Sequence, residues 1–319
     1  MCRALVIFIG DPAHMKPRFR FAADAALEPK RVRLTPDPLD TYDDREGFDP
    51  LFIDPAIAVP LPRLAAAVAR DAATHTWRGR KTHVLDYTHF SVAVSKSRRL
   101  PIYSACNIDG AQAVDVPRTN IWKYDPRIDQ KYQILKEVYG DQKAGYFSRG
   151  HMTRRQDPNW GSKKTARQAD ADTFHATNAA PQVQGFNGGL WNEVEDYVLA
   201  NTQRDRMRIS VFTGPVLRAD DPVVHGVKIP RQFWKIVAFV HDESGALSAI
   251  AYLCSQARAI ADLEPTFVFG EFQDQQRSIG AIQALTGLTF GDLAQRDVLA
   301  GADIEFAVSL KDVRDIMLA

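Results

Sequence analysis

The sequence predicts an α+β fold in which a central antiparallel β-sheet carries helices on its faces. Runs rich in β-branched and aromatic residues recur along the chain, for example Phe90–Val94 and Phe233–Val240, and such runs favour strands. The residues Asp242-Glu243-Ser244-Gly245 follow the second run and are typical of a hairpin turn into Leu247–Cys254. Helical patterns are confined to three segments, at 64–73, 187–200 and 276–285.

The N-terminal part of the chain predicts packing rather than chemistry. Ala4–Ile9 is an apolar run that is too short to span a bilayer, and we interpret it as a buried strand. Residues 34–62 are rich in Pro and Asp, which predicts an irregular arm on the domain surface. Leu64–Ala73 is an Ala-rich helical segment. We therefore expect an N-terminal extension, residues 1–80, packed on a main domain, residues 81–319.

The main domain is expected to alternate strands with turns before a final helix. The expected strands are Val84–Asp86, Phe90–Val94, Ile102–Ile108, Met207–Phe212, Phe233–Val240 and Leu247–Cys254. Apolar residues alternate along Phe90–Val94, which predicts a half-buried strand. Gln276–Leu285 is expected to form a short helix that Gly287 ends.

Composition and charge indicate an ordinary soluble globular protein. Of its 319 residues, 45% are hydrophobic and 25% are charged, and the net charge is +1. A polyanion would thus be bound only through local basic patches. The three cysteines show no C-x-x-C pairing, so no disulfide framework is implied and the expected location is the reducing cytoplasm.

Residues 146–200 concentrate the chemically useful side chains. We expect a strand ending near His151, a polar connection to Asp172, a second strand over Thr173–Asn178 and a helix over Asn187–Ala200. His175 lies within the expected second strand and is interpreted as a core residue or as a support for the site.

Asn187 and Glu195 are eight residues apart, so on a helix their side chains look toward one region from positions roughly 12 Å apart along the axis. That spacing suits a Glu195 that holds a metal-bound water better than two direct ligands to one ion. A neutral histidine can accept a proton from water near pH 7, a hard cation with oxygen ligands can offset developing charge, and arginine can grip phosphate. Histidine, amide, carboxylate and arginines together indicate phosphodiester cleavage.

The same residues resemble the DNA/RNA non-specific endonucleases of the ββα-metal superfamily, the endonuclease G type. The matching motifs are Ser148-Arg149-Gly150-His151, then Asn178 before Pro181-Gln182, and Asn187 followed eight residues later by Glu195. Similarity continues through Val211–Pro215 and Phe233-Trp234-Lys235 and covers about residues 85–290.

The resemblance implies a ββα-metal nuclease motif and a role for each matching residue. His151 would be the general base, Asn187 the single protein ligand of Mg²⁺, for which Mn²⁺ could substitute, and Glu195 would order the metal-bound water. Asn178 would support the site. Arg149 and, by a looser match, Arg118 would hold phosphates of DNA and RNA, and Arg154 and Arg155 beside the histidine are predicted to contact nucleic acid.

Two positions depart from the family pattern. The family's Asp is Ser148, and an arginine often found four residues after the helix glutamate is Leu199. These departures keep open an alternative function, a catalytically impaired nucleic-acid-binding or regulatory module.

A nuclease in the cytoplasm would need restraint. The sequence therefore motivates a gating or inhibitory protein partner and a role as a defence or toxin effector, and the resemblance adds a homodimer. No membrane association is expected.

Overall fold

The computed structural model describes residues 31–141, 144–187, 190–241, 244–257, 260, 275–301, 303 and 305–310. The expected strand Ala4–Ile9 and the first half of the expected turn at Asp242-Glu243 lie outside these residues. The strands are β1 (Arg31–Arg33), β2 (Arg63–Leu64), β3 (His75–Trp77), β4 (Arg80–Thr82), β5 (Leu85–Asp86), β6 (Phe90–Val94), β7 (Pro101–Asp109), β8 (Ile121–Lys123), β9 (Ser148–His151), β10 (Ala179–Gln182), β11 (Arg208–Pro215), β12 (Val223–Val224), β13 (Val227–Lys228), β14 (Gln232–Val240), β15 (Leu247–Ser255), β16 (Gln275–Arg277), β17 (Leu288–Thr289) and β18 (Ala307–Ser309). The helices are α1 (Ala66–Asp71), α2 (Lys163–Thr173), α3 (Gln184–Asn187), α4 (Leu190–Arg204) and α5 (Ile279–Thr286).

An eight-stranded sheet in the order β18-β16-β15-β14-β11-β7-β6-β5 forms the centre of the fold. Every neighbouring pair of strands in it is antiparallel. This confirms the predicted α+β class with a central antiparallel sheet. Among the described helices, none is long and apolar enough to cross a membrane.

Hydrophobic clusters cover both faces of the sheet. One contains Phe48 and Val59 from the N-terminal arm together with Ile279 and Ile282 of α5. The other contains Val194 and Leu199 of α4 against residues of β6, β7 and β11. Because both faces are covered, all five residues of β6 are buried, and the expectation of a half-buried strand was wrong.

The hairpin β9–β10 and the helix α4 form the expected strand–strand–helix unit, but its middle differs from the prediction. His151 pairs with Ala179 and Ser148 with Gln182, so the second strand is Ala179–Gln182 rather than Thr173–Asn178. Thr173 ends α2, and a 3-10 turn over Ala176–Asn178 leads into β10. The polar connection is largely the helix α2, which Ser162 caps by accepting a hydrogen bond from Thr165 N at 3.1 Å.

α5 ends as predicted, at Gly287, which adopts the left-handed conformation with φ of 68°. The N-terminal arm is anchored by Phe48, which is buried, whereas Leu51 is 46% exposed. The division into residues 1–80 and 81–319 stays a prediction.

Candidate active site

His151 ends β9 with its ring held between aromatic neighbours. Its ring centre lies 4.7 Å from that of Trp122 and 5.0 Å from that of Phe174, to which it is nearly perpendicular at 89°. The residue is half-buried, and the Nε2 atom of its ring is buried. Pairing with Ala179 fixes the backbone at this position, and the two rings fix the plane of the imidazole.

The close approach of Gln182 on β10 explains why a glycine, Gly150, precedes His151. A Cβ atom at this position would overlap the side chain of Gln182 on the opposite strand. Gln182 is fully buried and has little room to move aside. Only glycine therefore allows the two strands to approach this closely.

Asn178 is fully buried, and its amide is used entirely to hold backbone. Its Oδ1 accepts from Thr153 N at 2.8 Å, and its Nδ2 donates to the carbonyls of Thr153 at 2.9 Å and Thr173 at 3.0 Å. Thr153 lies two residues beyond His151. These contacts are those of a residue that positions the end of the hairpin.

Arg118 and His151 are far apart in the sequence but both contact the ring of Phe174. The guanidinium carbon of Arg118 is 5.2 Å from the ring centre of Phe174, the ring that also contacts His151. Arg118 is half-buried, and phosphate binding by Arg118 stays a prediction.

Arg149 faces the interior of the protein. Its Nε and Nη2 donate to the carbonyl of Leu135 at 3.0 and 2.5 Å, and its guanidinium packs 4.8 Å from the ring centre of Tyr139. Burial lowers the pKa of Arg149 from its usual value. These contacts tie β9 to the loop before it, and phosphate binding by Arg149 stays a prediction.

Glu195 lies on α4 with 8% of its surface exposed and two cations beside it. Its Oε1 is 3.3 Å from Lys235 Nζ, and its Oε2 is 4.0 Å from Arg154 Nε. Arg154 also pairs with Asp196, and Glu195 and Asp196 raise the pKa of Arg154 against the opposing effect of burial. Because Arg154 is three residues beyond His151, this contact joins the hairpin to the helix.

Two further charged residues lie in this cluster, and sequence reasoning gave Lys235 no role in the site. Lys235 is 1% exposed in the middle of the apolar strand β14, and a single charge inside such a run is the signal that could have identified it. Asp157 is 5% exposed, and burial raises its pKa to about 6, while Lys235 opposes that change.

Arg155 is engaged on another side of the hairpin end. Its Nη1 donates to Asp170 Oδ1 at 2.9 Å, and Asp170 also accepts from Thr119 N at 2.8 Å. The pair therefore fastens the segment that carries Arg118. Contacts of Arg154 and Arg155 with nucleic acid stay predictions.

The remaining predicted residues lie on three different elements. Asn187 is the last residue of α3, whereas Glu195 lies on α4, so the described residues place the two on separate helices rather than on the single expected helix Asn187–Ala200. Ser148 lies opposite Gln182 at the far end of β9. Leu199 is 1% exposed and packs in the core between α4 and the sheet. Among the described residues, no group of three or more His, Cys, Asp or Glu side chains could hold a metal ion.

The antiparallel sheet, the hairpin and the helix define an α+β protein, and comparison with known proteins identifies its family. Residues 71–297 match the model of the DNA/RNA non-specific endonuclease family. That match covers more than half of the chain, and the protein belongs to this family.

Individual relatives agree with the family match. An uncharacterised protein of Sinorhizobium fredii, y4fB, is 39% identical over 264 residues, which are 80% of this chain and 39% of that protein. The mitochondrial nuclease EXOG of Danio rerio is 25% identical over 73% of this chain and 67% of its own length. Human mitochondrial endonuclease G is 36% identical over 28% of each chain. The chain thus spans well under half of the first of these relatives.

The fold also resembles a solved structure. The crystal structure of the EndoG/EndoGI complex, described as showing the mechanism of EndoG inhibition, matches with a TM-score of 0.51 and 20% identity, covering 66% of this chain and 86% of that one. At this identity the likeness shows a shared fold.

Proposed function

We propose that the protein is a metal-dependent, sequence-nonspecific endonuclease that hydrolyses phosphodiester bonds of DNA and RNA. The observation that carries the proposal is the contact of Arg154 with Glu195, because it brings the helix carboxylate to the end of the strand that holds His151. Family membership supports the reaction class.

In this proposal His151 accepts a proton from the attacking water. Trp122 and Phe174 hold the imidazole in one orientation, so it is presented to the water without further rearrangement. Arg118 binds a phosphate oxygen next to the scissile bond. Asn178 keeps Thr153, and through it the hairpin end, in place. A site that contacts the phosphates and not the nucleobases has little preference for nucleotide sequence.

The residues present fit a hydrated Mg²⁺ ion, for which Mn²⁺ could substitute. Glu195 Oε1 is buried, lies 3.3 Å from Lys235 Nζ and accepts no hydrogen bond from the described residues, so beside this ion pair it keeps a lone pair for a water molecule. Amide and carboxylate oxygens are the donors that a hard cation prefers. Asn187 would hold the ion directly and Glu195 through water. When bound, the ion would offset the charge that develops on the phosphate.

The alternative, an impaired binding module, rests on Ser148 and Leu199. Leu199 packs in the core, yet Arg154 brings a guanidinium to Glu195 from the hairpin instead. This observation favours an active enzyme over the impaired module.

The test of the function is cleavage of plasmid DNA and of RNA with Mg²⁺, with EDTA, and after His151→Ala. We expect the substitution to reduce kcat at least about 100-fold, since it removes a proton acceptor used in the transition state. Binding of uncut DNA measured in EDTA should be unchanged. His225→Ala is the matched control, because His225 is exposed and lies on the β12–β13 turn. Equal cleavage by the wild type and His151→Ala would reject the assignment.

Asn187→Ala tests the metal ligand. We expect the Mg²⁺ concentration for half-maximal cleavage to rise at least about tenfold, because a hydrated ion with one protein ligand loses that ligand. Mg²⁺ titration at fixed ionic strength measures the midpoint. An unchanged midpoint would show that the ion is held elsewhere.

Restraint of the activity is part of the proposal. The solved relative is described in a complex that inhibits it, and we propose an inhibitory protein partner, a defence or toxin role and a homodimer for this protein. Expression of the wild type should reduce host viability more than expression of His151→Ala. Equal viability would remove the reason for a restraining partner. The homodimer is tested separately, by analytical ultracentrifugation.

A further inference from the structure

Lys235 is buried at a position where a charged side chain is costly. It lies on the central strand β14 with 1% exposure, and its neighbours on the same face are Phe233 and Val237. An ammonium group taken out of water loses favourable hydration free energy, and a paired charge or hydrogen bonds must offset that loss. The fold tolerates this lysine only because the groups around it supply compensating contacts.

Three contacts surround the Lys235 ammonium, and two of them come from α4. Nζ donates to Thr213 Oγ1 at 2.9 Å, lies 3.3 Å from Glu195 Oε1 and lies 5.1 Å from the ring centre of Trp191. Trp191 and Glu195 are one helical turn apart and form the face of α4 that looks onto β14. Beside the hydrophobic contacts of α4 with the sheet, the helix thus also contacts β14 through one cation and one carboxylate.

Glu195 is held from two directions. Lys235 approaches Oε1 from the sheet, and Arg154 approaches Oε2 from the hairpin. If either cation were absent, the carboxylate would turn toward the remaining one, since a buried carboxylate follows its nearest positive charge. Two opposed cations define one orientation.

We propose that Lys235 is a positioning residue that, together with Arg154, holds the Glu195 carboxylate in the orientation from which it orders metal-bound water. This inference rests on the proposed function. It assigns Arg154 to the same clamp, in which its guanidinium meets Glu195 from the hairpin although position 199 on the helix is a leucine. Lys235 acts on the reaction only through Glu195.

A double-mutant cycle between Lys235 and Glu195 tests the proposal. Lys235→Met keeps the length of the side chain and removes its charge. In the wild-type background we expect kcat to fall about 10-fold to 100-fold, as for other residues that orient groups around a metal, with KM little changed. In the Glu195→Gln background the same substitution should change kcat less than about twofold. Equal losses in both backgrounds would mean that Lys235 is merely structural and would overturn the proposal.

A second measurement does not depend on cleavage. Mn²⁺ binding in the absence of nucleic acid is followed by the loss of the free-ion EPR signal, and we expect Lys235→Met to weaken it about tenfold, but not in the Glu195→Gln background. If the ammonium acted only as a positive charge near the metal, its removal would tighten Mn²⁺ binding, and that result would overturn the proposal. Lys228→Met, at an exposed lysine of β13, is the control.

Two safeguards separate the possible failures. If Lys235→Met does not fold, Thr213→Val removes the hydroxyl that orients Nζ while preserving side-chain volume, and it enters the same cycle with the same two expected results. Wild-type protein that binds Mn²⁺ but cuts neither DNA nor RNA would contradict the proposed function. Active wild type with an additive cycle would contradict only the role of Lys235.

Discussion

At the scale of single residues, two buried histidines with similar pKa values have different surroundings. His175 is fully buried, and both ring nitrogens are used: Nδ1 donates to the carbonyl of Asp172 at 2.7 Å, and Nε2 accepts from the hydroxyl of Tyr42 at 2.6 Å. Burial lowers its pKa to about 4. The contacts agree with its interpretation as a core residue. His75 is 9% exposed, and its ring nitrogens have no hydrogen-bond partner within the described residues.

His75 therefore makes the stability of the protein depend on pH. Burial, followed by the positive charge of Arg127, lowers its pKa from 6.5 to about 4. Between these values the unfolded chain binds a proton that the folded chain does not. The free energy of unfolding is therefore highest above pH 6.5, where the ring is neutral in both states, and falls as the pH is lowered from 6.5 to 4.

His75→Phe should remove this loss. The difference in unfolding free energy between the variant and the wild type is measured at pH 7.5 and at pH 5. We expect this difference to shift by about 2 kcal/mol in favour of the variant at pH 5, since one pKa unit corresponds to about 1.4 kcal/mol. Urea unfolding at the two pH values measures this, and His225→Ala, at an exposed histidine, should show no such change. Identical pH slopes for wild type and His75→Phe would contradict the prediction.

At the scale of elements, the sequence predicted six of the eight strands of the sheet and the helix α4 but missed β16, β18 and α2. Hydrophobic periodicity identifies a helix only when its buried face is apolar. The buried face of α2 carries Ala166, Ala169, Asp170 and Asp172. The two aspartates are compatible with burial because Arg155 and Arg45 pair with them from outside the helix. Such partners are distant in sequence and leave no local signal.

The 3-10 turn Ala176–Asn178 is fixed by the N-terminal arm. Tyr42, at the end of the arm's own 3-10 turn, donates its hydroxyl proton to His175, and Asn178 N donates to the carbonyl of His175 at 2.9 Å. The arm thus supports the residue that positions the end of the β9–β10 hairpin.

Tyr42→Phe tests this support. The substitution keeps the ring and leaves Nε2 of His175 buried without a donor, which should lower the unfolding free energy by about 1–3 kcal/mol. Denaturant unfolding is the measurement. Tyr146→Phe is the matched control, because it keeps the stacking of Tyr146 on His225 and removes a hydroxyl elsewhere. A loss no larger than that of the control would show that the hydrogen bond contributes little.

At the scale of the whole molecule, the site is assembled by contacts between distant segments. The family resemblance predicted His151, Asn178 and Glu195 as site residues, because it rests on short motifs that can be recognised in the sequence. Lys235 and the paired roles of Arg154 and Arg155 depend on how helix, hairpin and sheet meet. A pattern that reports one element at a time cannot show them.

The N-terminal arm is part of this assembly. It contributes Phe48 and Val59 to the core on one face of the sheet, and Arg45 pairs with Asp172, whose side chain is 1% exposed. Strand β2 of the arm region also pairs with β17. The described part of the arm therefore contributes to the same core as the sheet.

Expressing residues 81–319 without residues 1–80 should give a chain that does not fold. Loss of each large core side chain costs about 2–5 kcal/mol, and an unpaired buried Asp172 costs about 3–5 kcal/mol more, while whole domains are stable by only about 5–15 kcal/mol. We expect the 81–319 chain to be insoluble or to lack a cooperative thermal transition, and co-expression of the 1–80 chain to restore soluble protein. A 1–80 chain carrying Arg45→Ala and Phe48→Ala is the matched control and should restore much less. If the 81–319 chain unfolded cooperatively by itself, the main domain would be independent of the arm, and the Tyr42 and Arg45 contacts would be those of an accessory segment.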